Sequence, residues 1–175
     1  MKNGILIING KKYKVQISDA DVAAIAKPRT GYERVDNNQY YWRPTDNGQS
    51  YKSIETYCST DDFRYQTGIY YNDEMISSNN VRADTLMRRL RQWQALNDKP
   101  VNWGNTSEKY FFEHRFNEII VVFNAIGRHM GDIYFSSREK AEEALKIFAD
   151  ELIWYFTEYQ QRLDEPKRKD DSNTQ

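Results

Sequence analysis

Two neighbouring carboxylates, Asp61 and Asp62, follow closely on the chain's one cysteine, Cys58. Paired carboxylates do acid–base work when their surroundings push their pKa values apart, and a cysteine can act as a nucleophile beside a histidine. The two histidines, His114 and His129, lie far along the chain, and neither has a metal-site spacing. No glycine-rich phosphate loop and no nucleophile-elbow pattern is present in the sequence. Beside strand-like residues, Cys58 reads as a buried structural cysteine. The adjacent aspartates read as turn or cap formers in a solvated loop, and His129 as a loop residue. The sequence assigns no catalytic residue, no metal ligand and no cofactor, so a non-enzymatic role is expected.

Arginines offer different chemistry. Arg82, Arg88, Arg89 and Arg91 crowd one helix-like stretch, and Arg64 and Tyr65 open the segment RYQTGIYY. Arginine beside aromatic rings suits a nucleotide pocket or a single-strand surface. On a wheel of about 100° per residue, Arg82 and Arg89 flank one edge of the apolar stripe. Arg88 and Arg91 fall on the other edge and the back, so the four form no single row. Arginines lining a buried face with packed stems and solvated heads explain this distribution.

The last helix-like stretch carries a third pattern. Ile147 and Trp154, seven residues apart, break a polar face and are framed by Glu143, Asp150, Glu151 and Glu158. An apolar pair ringed by carboxylates suits contact with a partner protein or with a second copy of the chain, tryptophan being a common anchor. The other reading is that part of the same chain, such as an N-terminal hairpin, covers the pair.

Positioning these groups requires elements, and an α+β fold is predicted. GILIINGKKYKVQI (4–17) reads as a β-hairpin turning at Asn9-Gly10, with Tyr13, Val15 and Ile17 on its buried face. Ser18 and Asp21 suit the cap of a short helix, DADVAAIA, which Pro28 limits. Residues 39–43 and 49–57 read as strands around a turn at 45–48, and 58–66 as a polar loop. A short strand at 67–71 and a helix over 80–96 follow, with Ala83, Leu86, Met87, Leu90 and Trp93 on one face. Tyr40, Tyr41 and Trp42 are consecutive, so at least one ring faces away from its neighbours.

The pattern then recurs. EKYFFEH and IIVVF read as strands, GDIYF as a short strand, and the stretch from Ser136 or Ser137 to about residue 161 as a capped helix. RYQTGIYY (64–71) and RHMGDIYF (128–135) share an Arg, a Gly and a closing aromatic pair. The predicted architecture is an N-terminal β-hairpin plus short helix (1–30), then two related βββα-like units with antiparallel strands and long amphipathic helices. These span 31–97 and 109–162, with a linker at 98–108 and a disordered tail at 163–175.

Composition bounds the rest. The 175 residues are 29% charged and 39% hydrophobic, with a mean hydropathy of -0.90, but 14% are aromatic. Large rings build a core from fewer apolar residues, so a folded chain is expected. A net charge of -1 removes the simplest argument for nucleic-acid binding, although a local basic patch would restore it. One cysteine allows no internal disulfide, and no stretch approaches the roughly 18 apolar residues of a membrane span. The apolar run near the N-terminus is too short for a signal peptide. A reduced, cytoplasmic setting without membrane contact is expected.

Four stretches are familiar together: GYERVDNNQYYW, DDFRYQTGIYY, NNVRADTLMRRLRQW and GDIYFSSREKAEEALKIFADELIWYF. Over residues 30 to 160 the chain resembles small proteins encoded by phages and prophages of Gram-positive bacteria, a family with no assigned activity. The resemblance implies a phage accessory product in the cytoplasm of the bacterial host. Such a product is expected to bind and inhibit a host factor, an antiviral defence component among them, in the manner of an anti-CRISPR. Two other expectations stay open. A sponge for a signalling nucleotide would show arginines and stacking rings around a pocket near Arg64, Tyr65, Gly68 or Gly131. A nucleic-acid binder would show salt-sensitive affinity.

Overall fold

The computed structural model describes residues 2–8, 10–21, 29–116, 118–124, 127–129 and 131–165. Strands β1 (Lys2–Ile8) and β2 (Lys11–Ile17) form the first antiparallel hairpin, with Gly10 at φ 78° in the turn. Its predicted inner face is half covered: Leu6 and Tyr13, directly opposite each other, are each 48% exposed. Ser18 Oγ accepts the Asp21 amide at 3.0 Å, the expected cap. Residues 22–28, the body of the predicted short helix, lie outside the described residues, as does Asn9.

The first unit is strands β3 (Tyr40–Pro44) and β4 (Ser50–Ile54), then helices α1 (Ser59–Gln66) and α2 (Glu74–Asn97). Three details differ from expectation. The stretch read as a polar loop is helix α1: Asp61 and Asp62 oppose the helix dipole in its first turn, Arg64 suits its last, and Thr67 and Gly68 end it. Strand β4 ends at Ile54. Past Glu55, whose amide still donates to Gln39 O at 2.9 Å, the backbone leaves β3 for side-chain carboxylates. Thr56 N donates to Asp61 at 2.9 Å and Tyr57 N to Glu55 at 2.8 Å. Helix α2 begins six residues before the predicted start at 80, because Asp73 caps it by accepting the Ile76 amide. Its first turns bury Ser77 and Asn80, polar residues that hide the amphipathic signal.

Strands β5 (Lys109–Arg115) and β6 (Glu118–Asn124) and helix α3 (Arg138–Thr157) make the second unit. Helix α3 ends at Thr157 rather than near 161. The expected third strand of each unit is a single bridge: Tyr71 pairs with Trp42, and Phe135 with Tyr110, each through two backbone hydrogen bonds of 2.7–3.1 Å. Two residues beyond each bridge stands the cap of the following helix, Asp73 or Ser137. The two units thus follow one plan, and each holds two strands in its sheet.

Helices α2 and α3 join the units. Leu86 and Leu90 of α2 pack with Phe135 and with Ala141, Ala144, Phe148 and Leu152 of α3. The chain past α3 returns to the start of the first unit, where Leu163 N donates to Thr30 O at 3.0 Å and Glu165 accepts from Gln161 N. Residues 163–165 are therefore ordered, against the expectation of a disordered tail. Residues 166–175 lie outside the described residues.

Candidate functional site

The first unit encloses a set of polar groups that satisfy one another. Tyr41 and Tyr70 are buried and stack at a centroid distance of 4.0 Å. Each hydroxyl donates to a buried carboxylate, Tyr41 to Asp61 at 2.6 Å and Tyr70 to Glu55 at 2.7 Å. Each carboxylate meets an arginine. Arg34 grips Glu55 with two bonds of 3.0 and 3.1 Å, and Arg64 stands 2.5 Å from the Tyr41 hydroxyl and 3.5 Å from Asp61.

Burial works to raise the pKa of both acids. It is outweighed at Asp61 by bonds from Tyr41, Thr56 and Cys58, and at Glu55 by Arg34, Tyr70 and the Tyr57 amide, so both pKa values lie below the ordinary carboxylate range. Burial first, then the bond to an ionised carboxylate, raises the pKa of both tyrosines. Beside this set, burial also opposes ionisation of Glu33, but bonds from Thr30 and Asn72 bring its pKa down to about 2.

Asp61 is thus a buried anchor, not a solvated turn former, because Tyr41 and Thr56 supply the donors its charge needs. Cys58 is exposed rather than buried, because the helix that follows it buries Asp61 and leaves the thiol at the rim. Arg64 is engaged inside the fold and is not available to a ligand without breaking this set.

Around the network lie exposed rings with cations over them, on both faces of the β3–β4 hairpin: Tyr40, Lys52 and Ile54 share one face, Arg43 and Tyr51 the other. Tyr40, Tyr51, Ile54, Tyr57, Phe63 and Tyr65 are all between 43% and 62% exposed. Cations sit over several of their rings. Lys52 Nζ is 4.0 Å from the Tyr40 centroid, Arg43 lies 5.1 Å from Tyr51, and Arg34 stands over both Tyr57 and Tyr65. Tyr65 also sets its edge on Tyr70, and so ties the surface to the buried stack. Tyr57 holds φ at 54°, an uncommon conformation for a bulky residue, which the Glu55 bond to its amide helps fix.

The remaining arginines separate. Arg82 forms a two-bond pair with Glu151 at 2.9 and 3.2 Å and covers the Trp154 ring at 3.9 Å. Arg88 reaches Thr85, Arg89 lies over Phe148, and Arg91 lines a cleft beside Trp103. The Ile147–Trp154 pair is split by the same geometry. Trp154 is 8% exposed, closed in by Arg82 and Tyr159, whereas Ile147 is 58% exposed. A contact between copies through this face of the helix would rest on Ile147, not on the tryptophan. Of the framing acids, Glu143 pairs with Lys140, Glu151 with Arg82, and Asp150 and Glu158 are exposed.

Reading the sequence missed Arg34, Glu55, Tyr41 and Tyr70. Arg34 and Glu55 lie 21 positions apart with no shared periodicity, so only the fold brings them together. Among the described residues no group of three or more metal-binding side chains occurs, and no helix is long and apolar enough to cross a membrane. No family model matches the chain, and no curated protein or solved structure matches it.

Proposed function

We propose that the chain is a non-enzymatic phage accessory protein that binds and inhibits a host protein of antiviral defence. The exposed rings of the first unit, with cations over them, carry this reading. Tyrosine and arginine are the residues enriched at protein interfaces, and a cluster of exposed rings on a small domain marks an interaction surface. Tyr57 and Tyr65 stand together under Arg34, and Tyr65 sets its edge on the buried Tyr70, so the network fixes these two rings before any partner arrives. A preordered surface loses less side-chain freedom on association. The buried carboxylates are all held by tyrosines and arginines within the fold, so their role in this reading is support. Inhibition then follows from occupying a working surface of the partner, while the exposed acids of α3 favour a partner that is basic nearby.

The test joins capture to phenotype. The tagged chain is produced in a Gram-positive host and compared with a variant carrying Tyr57→Ser and Tyr65→Ser. The native chain should retain one host protein in near-stoichiometric amount and raise phage plating on a defended strain. The variant should melt within about 5 °C of the native chain and lose both effects. A native chain that retains no partner and leaves plating unchanged rejects the proposal.

A further inference from the structure

A second site lies where the end of α2 meets the linker and the second unit, away from the exposed rings of the first hairpin. The linker after α2 and the loop before Phe135 enclose a cleft of about 340 Å3. That is within the roughly 300–1,000 Å3 of small-ligand pockets. Its lining includes Arg91, Arg128, Trp103, Tyr134, Gln94 and Asp132.

Each group has an assignable chemistry. Arg91 and Arg128 have no carboxylate within ion-pair distance among the described residues, so two guanidinium groups face the cleft against one acid. Arginine forks fit phosphate oxygens. Trp103 is 39% exposed and held edge-on by Tyr134 at 5.0 Å, with Arg128 over its ring at 5.5 Å. Behind it the buried ammonium of Lys109, bonded to the Asn105 and Ser107 carbonyls, lies 5.8 Å from the same ring. The ring is a stacking platform in a cationic setting. Gln94 is fixed on the Tyr134 carbonyl, which sets the back wall. Asp132, the one acid among the cleft-lining residues, meets Tyr134 OH and His129 Nδ1 through Oδ2, each at 3.2 Å, which leaves Oδ1 for a ligand. It repels a phosphate but accepts N–H donors from a base edge.

We infer that this cleft binds a free nucleoside monophosphate, its base stacked on Trp103 and its phosphate held by Arg91 and Arg128. The acceptor character of Asp132 favours a base with several N–H donors, of which guanine has the most on one edge. A free nucleotide fits better than a strand, because a strand needs a basic track along its backbone, and on α2 Arg82 is paired with Glu151 and Arg89 lies over Phe148.

Calorimetry with guanosine monophosphate tests the inference. Guanosine, lacking phosphate, and ribose 5-phosphate, lacking a base, are the controls. The nucleotide should bind at micromolar concentrations, and each control at least about tenfold more weakly, as one lost stacking or charge-assisted contact predicts. Arg91→Gln should weaken the nucleotide about tenfold and leave guanosine unchanged, since only a phosphate contact is removed, whereas Arg128→Gln should weaken the nucleotide more than guanosine, because Arg128 also lies over the Trp103 ring. Trp103→Leu should weaken nucleotide and guanosine alike. Thermal melting of each variant separates lost binding from lost folding, and Arg128, which is exposed, is the variant least able to disturb the fold. Absence of nucleotide binding by the native chain overturns the inference. So does ribose 5-phosphate binding as tightly as the nucleotide, or a guanine-containing oligonucleotide binding more tightly with steep salt dependence.

Discussion

The two units share a plan and differ in what fills it. Each has a hairpin, a bridging aromatic residue and a capped helix two residues beyond. In the first unit the space beneath the bridge holds stacked tyrosines, two carboxylates and two arginines. In the second it holds Phe112 against Phe135, with Ala141, Ala144 and Phe148 behind. Both buried carboxylates among the described residues, Glu55 and Asp61, belong to the first unit. The difference teaches that one backbone arrangement can be held either by directional charge or by apolar packing. The charged version holds its rings by directional bonds to Asp61 and Glu55, while exposed rings occur on both units, Phe116 and Phe123 among them.

The comparison breaks most visibly in the apolar half. Phe148→Ala removes a buried ring at the contact between α2 and α3, and should cost about 3–5 kcal/mol of stability by denaturant titration. Because both units share that contact, probes in either should report the same loss.

Acid should separate the halves. The pKa values of Asp61, Glu55 and Glu33 are lowered in the fold, so their stabilisation is complete above the unfolded carboxylate value. It is lost as pH falls through the folded values, for Glu33 from 4.5 towards about 2. Near pH 3, amide protection in β3, β4 and α1 should fall while that of β5, β6 and α3 persists. Equal loss in both units would remove the distinction drawn between them.

The smallest effect sharpens the shared plan. Asp73→Ala and Ser137→Ala delete corresponding caps, and each should cost about 1 kcal/mol. Asp73 should be the more damaging at neutral pH, because its charge also faces the helix dipole. Melting temperatures of the two variants read the difference.

What the sequence made legible follows from these contrasts. The second unit was readable, since Ala141, Ala144, Phe148 and Leu152 repeat at helical spacing and Ser137 stands before them. Helix α1 was not, because its one buried residue is Asp61, and a buried carboxylate looks solvated until its donors are known. The start of α2 was lost for the same reason at Ser77 and Asn80. Trp154 could be placed on the wheel correctly and still be misjudged, because its cover, Arg82, comes from another helix. Of the cleft, Arg91 and the Gly131 loop were legible as candidates, whereas Trp103 lay in a stretch read only as linker.

The bond from Leu163 to the Thr30 carbonyl has a consequence for how the chain could be rewired. It closes residues 30 to 163 into a ring, with entry and exit side by side. A short peptide could therefore join these points, and new ends could be opened in the exposed stretch around Asn105. Such a circular permutant would place the apolar unit before the charged one in chain order while leaving every contact between α2 and α3 in place.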